Sequence, residues 1–170
     1  MNRVLNDLTK LEMDFIDIIY VQLKSFKECA DLLNIDILVI RSLNNELDPV
    51  WRPISIIRGK LKNKKIGGNF WDFYYWYKTA KECCHYFGIT KVELEKLYEI
   101  GLFNKRPTRR KTPEIDRKVA NEKYENIGNL TYSCCWCNNA KTDTFSEDEF
   151  KIIGKAISKV WKQRLDNDNR

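Results

Sequence analysis

The sequence PEIDRKVANEKYENIGNLTYSCCWCNNAKTD, residues 113–143, decides the fold of this chain. Residues 113–118 and 130–134 have the composition of short strands, and a loop rich in Asn, Gly and charged residues separates them. Cys137-Asn138 then opens a predicted helix. This order predicts a two-stranded hairpin followed by a helix.

Two polar residues of this stretch are placed to meet. Asp116 ends the first predicted strand and Asn138 begins the helix, so their side-chain oxygens should converge on one hard cation. Such a cation stabilises the charge that builds up on a phosphate and on its leaving oxygen. Asn129, in the loop, could lock the strands by bonding backbone groups. Taken singly these residues could be a salt-bridge partner, a helix cap and a turn residue, but their order favours a metal site.

Residues 81–145 resemble the HNH family of ββα-metal endonucleases, and their layout is similar to phage proteins of the endonuclease VII type. The ending IGNLTYSCCWCNNAKTDTFSEDEFKIIGKAI resembles small phage and mobile-element HNH proteins. The resemblance implies a mostly helical α+β fold with a ββα-metal core. It also implies cleavage of DNA phosphodiester bonds with Mg²⁺ or another divalent cation.

Site residues follow from the resemblance by position. It implies that Asp116 and Asn138 are the ligands of the catalytic metal and that Asn129 is the central Asn of the motif. Lys141 matches a lysine that faces a phosphate or has a structural role. Cys134 and Cys137 correspond to one half of a structural zinc site.

The zinc site departs from the family pattern. Cys84 matches the first Cys of the other pair, but Phe87 stands where the second Cys belongs. Structural zinc takes four ligands in a closed tetrahedron, and Cys84, Cys134 and Cys137 supply three. Either Cys83 or His85 supplies the fourth ligand, or zinc is lost and Phe87 packs in its place.

The catalytic set also departs from the pattern. The family places a general-base His directly after the acidic residue, and this chain has Arg117 there. Arginine stays protonated and cannot accept a proton near neutral pH. Arg117 could instead bind the scissile phosphate. Tyr124, Tyr132 or a water bound by the metal is then left as the base.

The charge of the chain is concentrated in its middle. Residues 51–123 carry a net charge of +10, whereas residues 1–50 carry −4. A basic block favours a polyanionic partner, because each neutralised phosphate releases counterions. The HNH resemblance favours DNA over RNA as this partner, and a solvated Lys-rich surface is the alternative interpretation of the charge. Five cations near Pro107 are predicted to contact phosphates: Lys105, Arg106, Arg109, Arg110 and Lys111.

The chain divides into four predicted parts. Residues 1–50 form an N-terminal helical region, and residues 51–68 form a basic linker after prolines that should break the helical pattern. Residues 69–165 form the HNH-like domain with an aromatic lead-in helix and a C-terminal helix, and residues 166–170 form a frayed tail. The N-terminal region matches a helix-turn-helix unit, but its acidity favours a packing or protein-binding role over DNA reading.

Three functions are compatible with these patterns. The first is a metal-dependent DNA nuclease. The second is a catalytically degenerate nucleic-acid-binding protein or subunit that engages a protein through the acidic N-terminal helices. The third is a protein–protein module without nucleic acid. No stretch of 18 apolar residues and no secretory signal occurs, so we expect a cytoplasmic protein in a phage or bacterial setting, with no membrane partner.

Overall fold

The structure, a computed structural model, describes residues 4–101 and 112–168. The chain divides into two compact units, Met1–Tyr77 and Lys78–Arg170. The division lies after the end of the predicted basic linker, and most of the predicted aromatic lead-in helix falls in the first unit. Within the described ranges, no helix is both long and apolar enough to cross a membrane.

The first unit consists of helices and the turns that connect them in its described part. After a 3₁₀ turn at Leu5–Asp7, its helices are α1 (Lys10–Ile16), which continues as a π-helical segment (Asp17–Val21), α2 (Phe26–Leu33), α3 (Ile37–Glu46), α4 (Asp48–Asn63) and α5 (Phe70–Thr79). Capping boxes at Thr9 and Ser25 begin α1 and α2, because each hydroxyl accepts the N–H of a Glu three residues on. The helix-turn-helix interpretation of α2 and α3 stays a prediction.

Helix α4 shows that the expected helix break at the prolines is wrong. Pro49 lies in the first turn of α4, where a backbone N–H has no intrahelical partner to lose. Pro53 lies inside the helix, but the helix continues to Asn63. An apolar stripe holds it against the core, and its members are Val50, Ile54, Ile57 and Leu61. Burial of this stripe outweighs the cost of Pro53, so residues 51–63 of the predicted linker are helical.

The second unit contains the sheet. Its elements are α6 (Lys91–Glu99), β1 (Glu114–Arg117), a 3₁₀ turn (Ile127–Asn129), β2 (Leu130–Ser133), α7 (Cys135–Lys141) and α8 (Glu147–Asp168). Strands β1 and β2 are antiparallel, with Asp116 opposite Thr131 and Ile115 opposite Tyr132. The predicted hairpin and following helix are therefore confirmed. The chain is a mostly helical α+β protein with a small two-stranded sheet.

Helix α8 closes the core of the second unit. Phe150 is fully buried, and its ring meets Tyr86 edge-on with the ring centroids 4.9 Å apart. Farther along, Gly154 lies so close to Tyr86 that an added Cβ would be 2.5 Å from the Tyr86 carbonyl oxygen. Glycine is needed here for this close approach rather than for its conformation. The helix extends to Asp168 and so includes the start of the predicted tail.

Candidate active site

The hairpin presents Asp116 on one of its two faces. Side chains alternate along a strand, so Asp116 and its partner Thr131 share a face, while Ile115 and Tyr132 share the other. Asp116 is 7% exposed, and its Oδ1 accepts the backbone N–H of Arg117 at 2.8 Å. Glu114 lies two residues earlier and therefore points to the same side as Asp116.

Helix α7 brings Asn138 to this side of the hairpin. Cys134 caps the helix, since its sulfur accepts the N–H of Cys137. The side-chain Nδ2 of Asn138 donates to Glu114 Oε2 at 3.3 Å. This hydrogen bond orients the amide and leaves Oδ1, the oxygen that a cation would use, outside the contact. Glu114 was missed from the sequence, although strand alternation from Asp116 would have indicated it.

The loop between the strands is held by Asn129. Its Oδ1 accepts the N–H of Val119 at 2.8 Å, and its Nδ2 donates to the Val119 carbonyl at 3.1 Å. The backbone N–H of Lys118 also donates to the Asn129 carbonyl at 2.8 Å. Asn129 is 4% exposed. The amide thus makes the backbone contacts that the sequence predicted for a loop-locking residue.

An open cleft of about 350 Å³ joins these residues. We call it the cleft, and its lining consists of Asp116, Arg117, Ala120, Asn121, Tyr124, Asn138, Lys141, Thr142 and Asp143. It brings the predicted metal ligands Asp116 and Asn138 together with Arg117. Asp143 is a further carboxylate that was missed from the sequence. Nothing in the spacing of the motif pointed to it.

Arg117 is fixed in the cleft by two contacts. Its Nη1 donates to the Glu122 carbonyl at 2.7 Å, and its guanidinium carbon lies 4.5 Å from the centre of the Tyr124 ring. Its Nε is buried and makes no hydrogen bond to any residue within 4–101 or 112–168. The guanidinium is therefore held in place with donor capacity left over.

The two tyrosines considered as bases occupy different places. Tyr124 lines the cleft, and burial raises the pKa of its phenol although the neighbouring Arg117 lowers it in part. Tyr132 is buried on the opposite face of the hairpin from Asp116. The geometry therefore leaves Tyr124 as the tyrosine that can reach the chemistry.

Lys141 braces the end of the hairpin. Its Nζ donates to the carbonyls of Arg117 and Lys118, the latter at 2.8 Å, and lies 5.5 Å from the centre of the Tyr86 ring. Only 2% of Lys141 is exposed, and burial lowers the pKa of its ammonium group. These contacts match the structural alternative for this lysine.

The ligand chemistry of the cleft suits a hard divalent cation. A carboxylate oxygen from Asp116 and an amide oxygen from Asn138 are the donor types that Mg²⁺ takes, with water and substrate phosphate completing its shell. The cleft is open enough to admit both. The residues present therefore fit the metal that the HNH resemblance implies.

Three cysteines gather at the start of α7. The sulfur atoms of Cys84, Cys134 and Cys137 all lie within 4.8 Å of one another, and each residue is fully buried. We call this group the cysteine cluster. Hydrogen bonds from Cys134 and then Cys137 lower the pKa of the Cys84 thiol.

The cysteine cluster does not supply four ligands for zinc. In the part of the chain that the structure describes, no fourth side chain of His, Cys, Asp or Glu joins the three sulfur atoms of the cysteine cluster. His85 instead lies with its Nε2 2.6 Å from Glu147 Oε1. Cys83 pairs through its backbone with Thr90 and stays outside the group. Phe87 is buried in the same apolar core as the three cysteines. These residues do not fit a tetrahedral structural zinc.

The predicted phosphate contacts of the basic loop, Lys105, Arg106, Arg109, Arg110 and Lys111, lie outside the described residues. They remain predictions from the sequence.

Comparison with known proteins gives one similar structure. No family model matches the chain, and no curated protein matches it. The chain is similar to a solved structure of the rare-cutting HNH restriction endonuclease PacI, which is described as exhibiting an extraordinary mechanism of DNA perturbation. The two are 26% identical, with a TM-score of 0.49, over 64% of this chain and 75% of that one.

Strands β1 and β2 followed by helix α7 form a ββα unit. Asp116 and Asn138 meet in the cleft of this unit, and Asn129 holds the loop between its strands.

Proposed function

We propose that the chain is a metal-dependent nuclease that hydrolyses DNA phosphodiester bonds in the cleft. The observation that carries the proposal is that Asp116, Arg117 and Asn138 line one open cleft at the meeting of β1 and α7. A carboxylate, an amide and a fixed guanidinium together suit a cation and a phosphate. A purely structural role for any one of these residues would not require the three side chains to line the same open cleft.

Asp116 and Asn138 would hold the cation, which supplies charge stabilisation at the phosphate and the leaving oxygen. Glu114 keeps the Asn138 amide turned so that its oxygen serves as a ligand. Asn129 keeps the strand end in register with the loop that follows it. Glu114 and Asn129 are therefore positioning residues, whereas Asp116 and Asn138 would bind the cation directly.

Arg117 would bind the scissile phosphate. The Glu122 carbonyl accepts from Nη1 and the Tyr124 ring covers one face of the guanidinium, so the Nη groups are the donors that would bind phosphate oxygens. Arg117 cannot accept the proton of the attacking water. Tyr124 stays protonated near neutral pH, because burial raises its pKa. Its hydroxyl would therefore orient the attacking water, and the proton of that water would pass to solvent in the open cleft.

The charge distribution supports a nucleic-acid substrate. Residues 51–123 carry the +10 net charge. Arg117, which lines the cleft, belongs to this basic part of the sequence. Cations of this kind bind the backbone without reading sequence. We propose DNA over RNA on the HNH resemblance of the sequence.

The test is plasmid cleavage by purified protein with Mg²⁺, Mn²⁺ or Ni²⁺, and with EDTA. We expect cleavage that EDTA abolishes and that Asp116→Ala lowers at least about 100-fold without changing the melting temperature. Asp148→Ala is the matched control, because the Asp148 side chain is 94% exposed on α8. Absence of cleavage of DNA and RNA in all three ions would overturn the proposal, as would full activity of Asp116→Ala.

A second candidate is a nucleic-acid-binding protein that does not cleave, with a protein partner on its acidic N-terminal helices. Arg117 at the position of the family base favours it, because the cleft then lacks the usual proton acceptor. This candidate predicts DNA binding that weakens with salt and survives Asp116→Ala. Binding that collapsed on loss of Asp116 alone would count against it.

A further inference from the structure

The cysteine cluster is built from two turns of the same kind. In the first, the backbone N–H of Gly88 donates to the Cys84 carbonyl at 2.7 Å, as that of Asn138 does to the Cys134 carbonyl at 3.0 Å, and Phe87 stands three positions after Cys84. In the second, the backbone N–H of Cys137 bonds the sulfur of Cys134 at 3.5 Å. Each turn therefore relates a cysteine to the residue three positions later. The second turn has a cysteine at that later position, and the first has Phe87.

Closure of the first turn does not depend on a cysteine at position 87. The Cys84 N–H donates to the Ile89 carbonyl at 2.8 Å, and the Gly88 N–H donates to the Cys84 carbonyl at 2.7 Å. Gly88 has a φ of +74°, which favours glycine. The Ser158 hydroxyl also donates to the Phe87 carbonyl at 3.1 Å. The backbone of this turn is thus closed by hydrogen bonds, and the position that corresponds to Cys137 holds the apolar Phe87.

Within residues 4–101 and 112–167, no other Cys, His, Asp or Glu joins the three sulfur atoms. Residues 1–3, 102–111 and 169–170, which the structure does not describe, contain no Cys, His, Asp or Glu. Water is also a poor substitute, since all three cysteines are fully buried in an apolar core. An ion bound here would therefore have three sulfur ligands, and its fourth coordination position would face apolar side chains.

We propose that Cys84, Cys134 and Cys137 form a three-thiolate site for a soft, three-coordinate cation, and that Cu(I) is the ion that fits it best. Phe87 then sets the coordination number of the bound ion. Thiolates favour soft ions, and Cu(I) accepts three of them without a fourth ligand. Zinc instead requires four ligands in structural sites. The site is distinct from the cleft and does not depend on cleavage.

The test compares Cu(I) and Zn²⁺ binding by the full chain, purified without metal under anaerobic reducing conditions. Each titration contains a chromophoric chelator for that ion as a competitor. We expect the natural sequence to take one Cu(I) per chain, with three sulfur neighbours by X-ray absorption, and Cys134→Ser to lose it. We expect Phe87→Cys to raise the affinity for Zn²⁺ at least about 100-fold by completing the tetrahedron.

Phe87→Leu is the matched control, since it keeps an apolar side chain at the fourth position and should leave Zn²⁺ affinity unchanged. Zinc bound by the natural sequence as tightly as by Phe87→Cys would overturn the proposal. Failure of the natural sequence to take up Cu(I) would also overturn it. The Cu(I) measurement on the natural sequence decides the matter even where Phe87→Cys does not fold.

Discussion

Helix α7 serves two sites of opposite chemistry with consecutive residues. Cys137 belongs to the cysteine cluster, which is fully buried among apolar side chains. Asn138 belongs to the cleft, which is open to solvent and lined by charged and polar groups. One site offers sulfur ligands in a sealed core, and the other offers oxygen ligands where water and a phosphate can enter.

The difference assigns separate tasks to the core side, around the cysteine cluster, and to the cleft side. Buried apolar contacts around the cysteine cluster should carry stability, because removing them leaves cavities. Polar groups in the cleft should carry function at little cost in stability, because solvent can replace their contacts. Substitutions on each side should therefore separate unfolding free energy from activity.

The largest effect should come from Phe150→Ala on the core side. The Phe150 ring is fully buried against Tyr86, so its loss should lower the free energy of unfolding by about 3–5 kcal/mol. Urea denaturation followed by circular dichroism measures this. Phe145→Ala is the control, because Phe145 is 38% exposed and should cost much less. Equal costs for the two would show that α8 does not close a core as described.

The next effect should come from Asn138→Ala in the cleft. Loss of this proposed metal ligand should lower plasmid cleavage at least about 100-fold, while the free energy of unfolding changes by no more than about 1 kcal/mol. Asn139→Ala is the matched control, since Asn139 is the exposed next residue of the same helix. Should Asn138→Ala instead unfold the protein and keep its specific activity, the assignment of tasks would fail.

The smallest effect should come from Lys141→Met, which tests a residue that touches both sides. Losing its donors leaves the carbonyls of Arg117 and Lys118 unpaired, which should cost about 1–3 kcal/mol in urea denaturation. The salt dependence of DNA binding should stay as it was, as it should for the exposed control Lys155→Met. A stable Lys141→Met protein with a shallower salt slope would show that Lys141 binds phosphate instead.

Local sequence patterns predicted the hairpin and the cleft because the parts lie close together in the chain. Strand composition, the Asn-rich loop and Cys137-Asn138 all fall within residues 113–143, so their order nearly determines their meeting. Asp116 and Asn138 come together as expected. The gathering of Cys84 with Cys134 and Cys137 followed from the family layout rather than from spacing.

Features that depend on tertiary burial were missed. Helix α4 passes Pro53 because its apolar stripe is buried, and no local preference reports that gain. The burial of Lys141 on backbone carbonyls is another such feature, since the sequence left open whether this lysine faces a phosphate or has a structural role. Strand alternation places Glu114 on the side of Asp116, but its hydrogen bond with Asn138 depends on how β1 and α7 are placed.

The turn at Phe87 has a genetic consequence. Phenylalanine and cysteine codons differ at a single base, so a four-cysteine site is one point mutation away from this chain. The backbone of that turn is already closed by the hydrogen bonds of Cys84 and Gly88, and no second change is needed to shape it. A lineage could therefore exchange a three-ligand site for a four-ligand site, in either direction, in one evolutionary step.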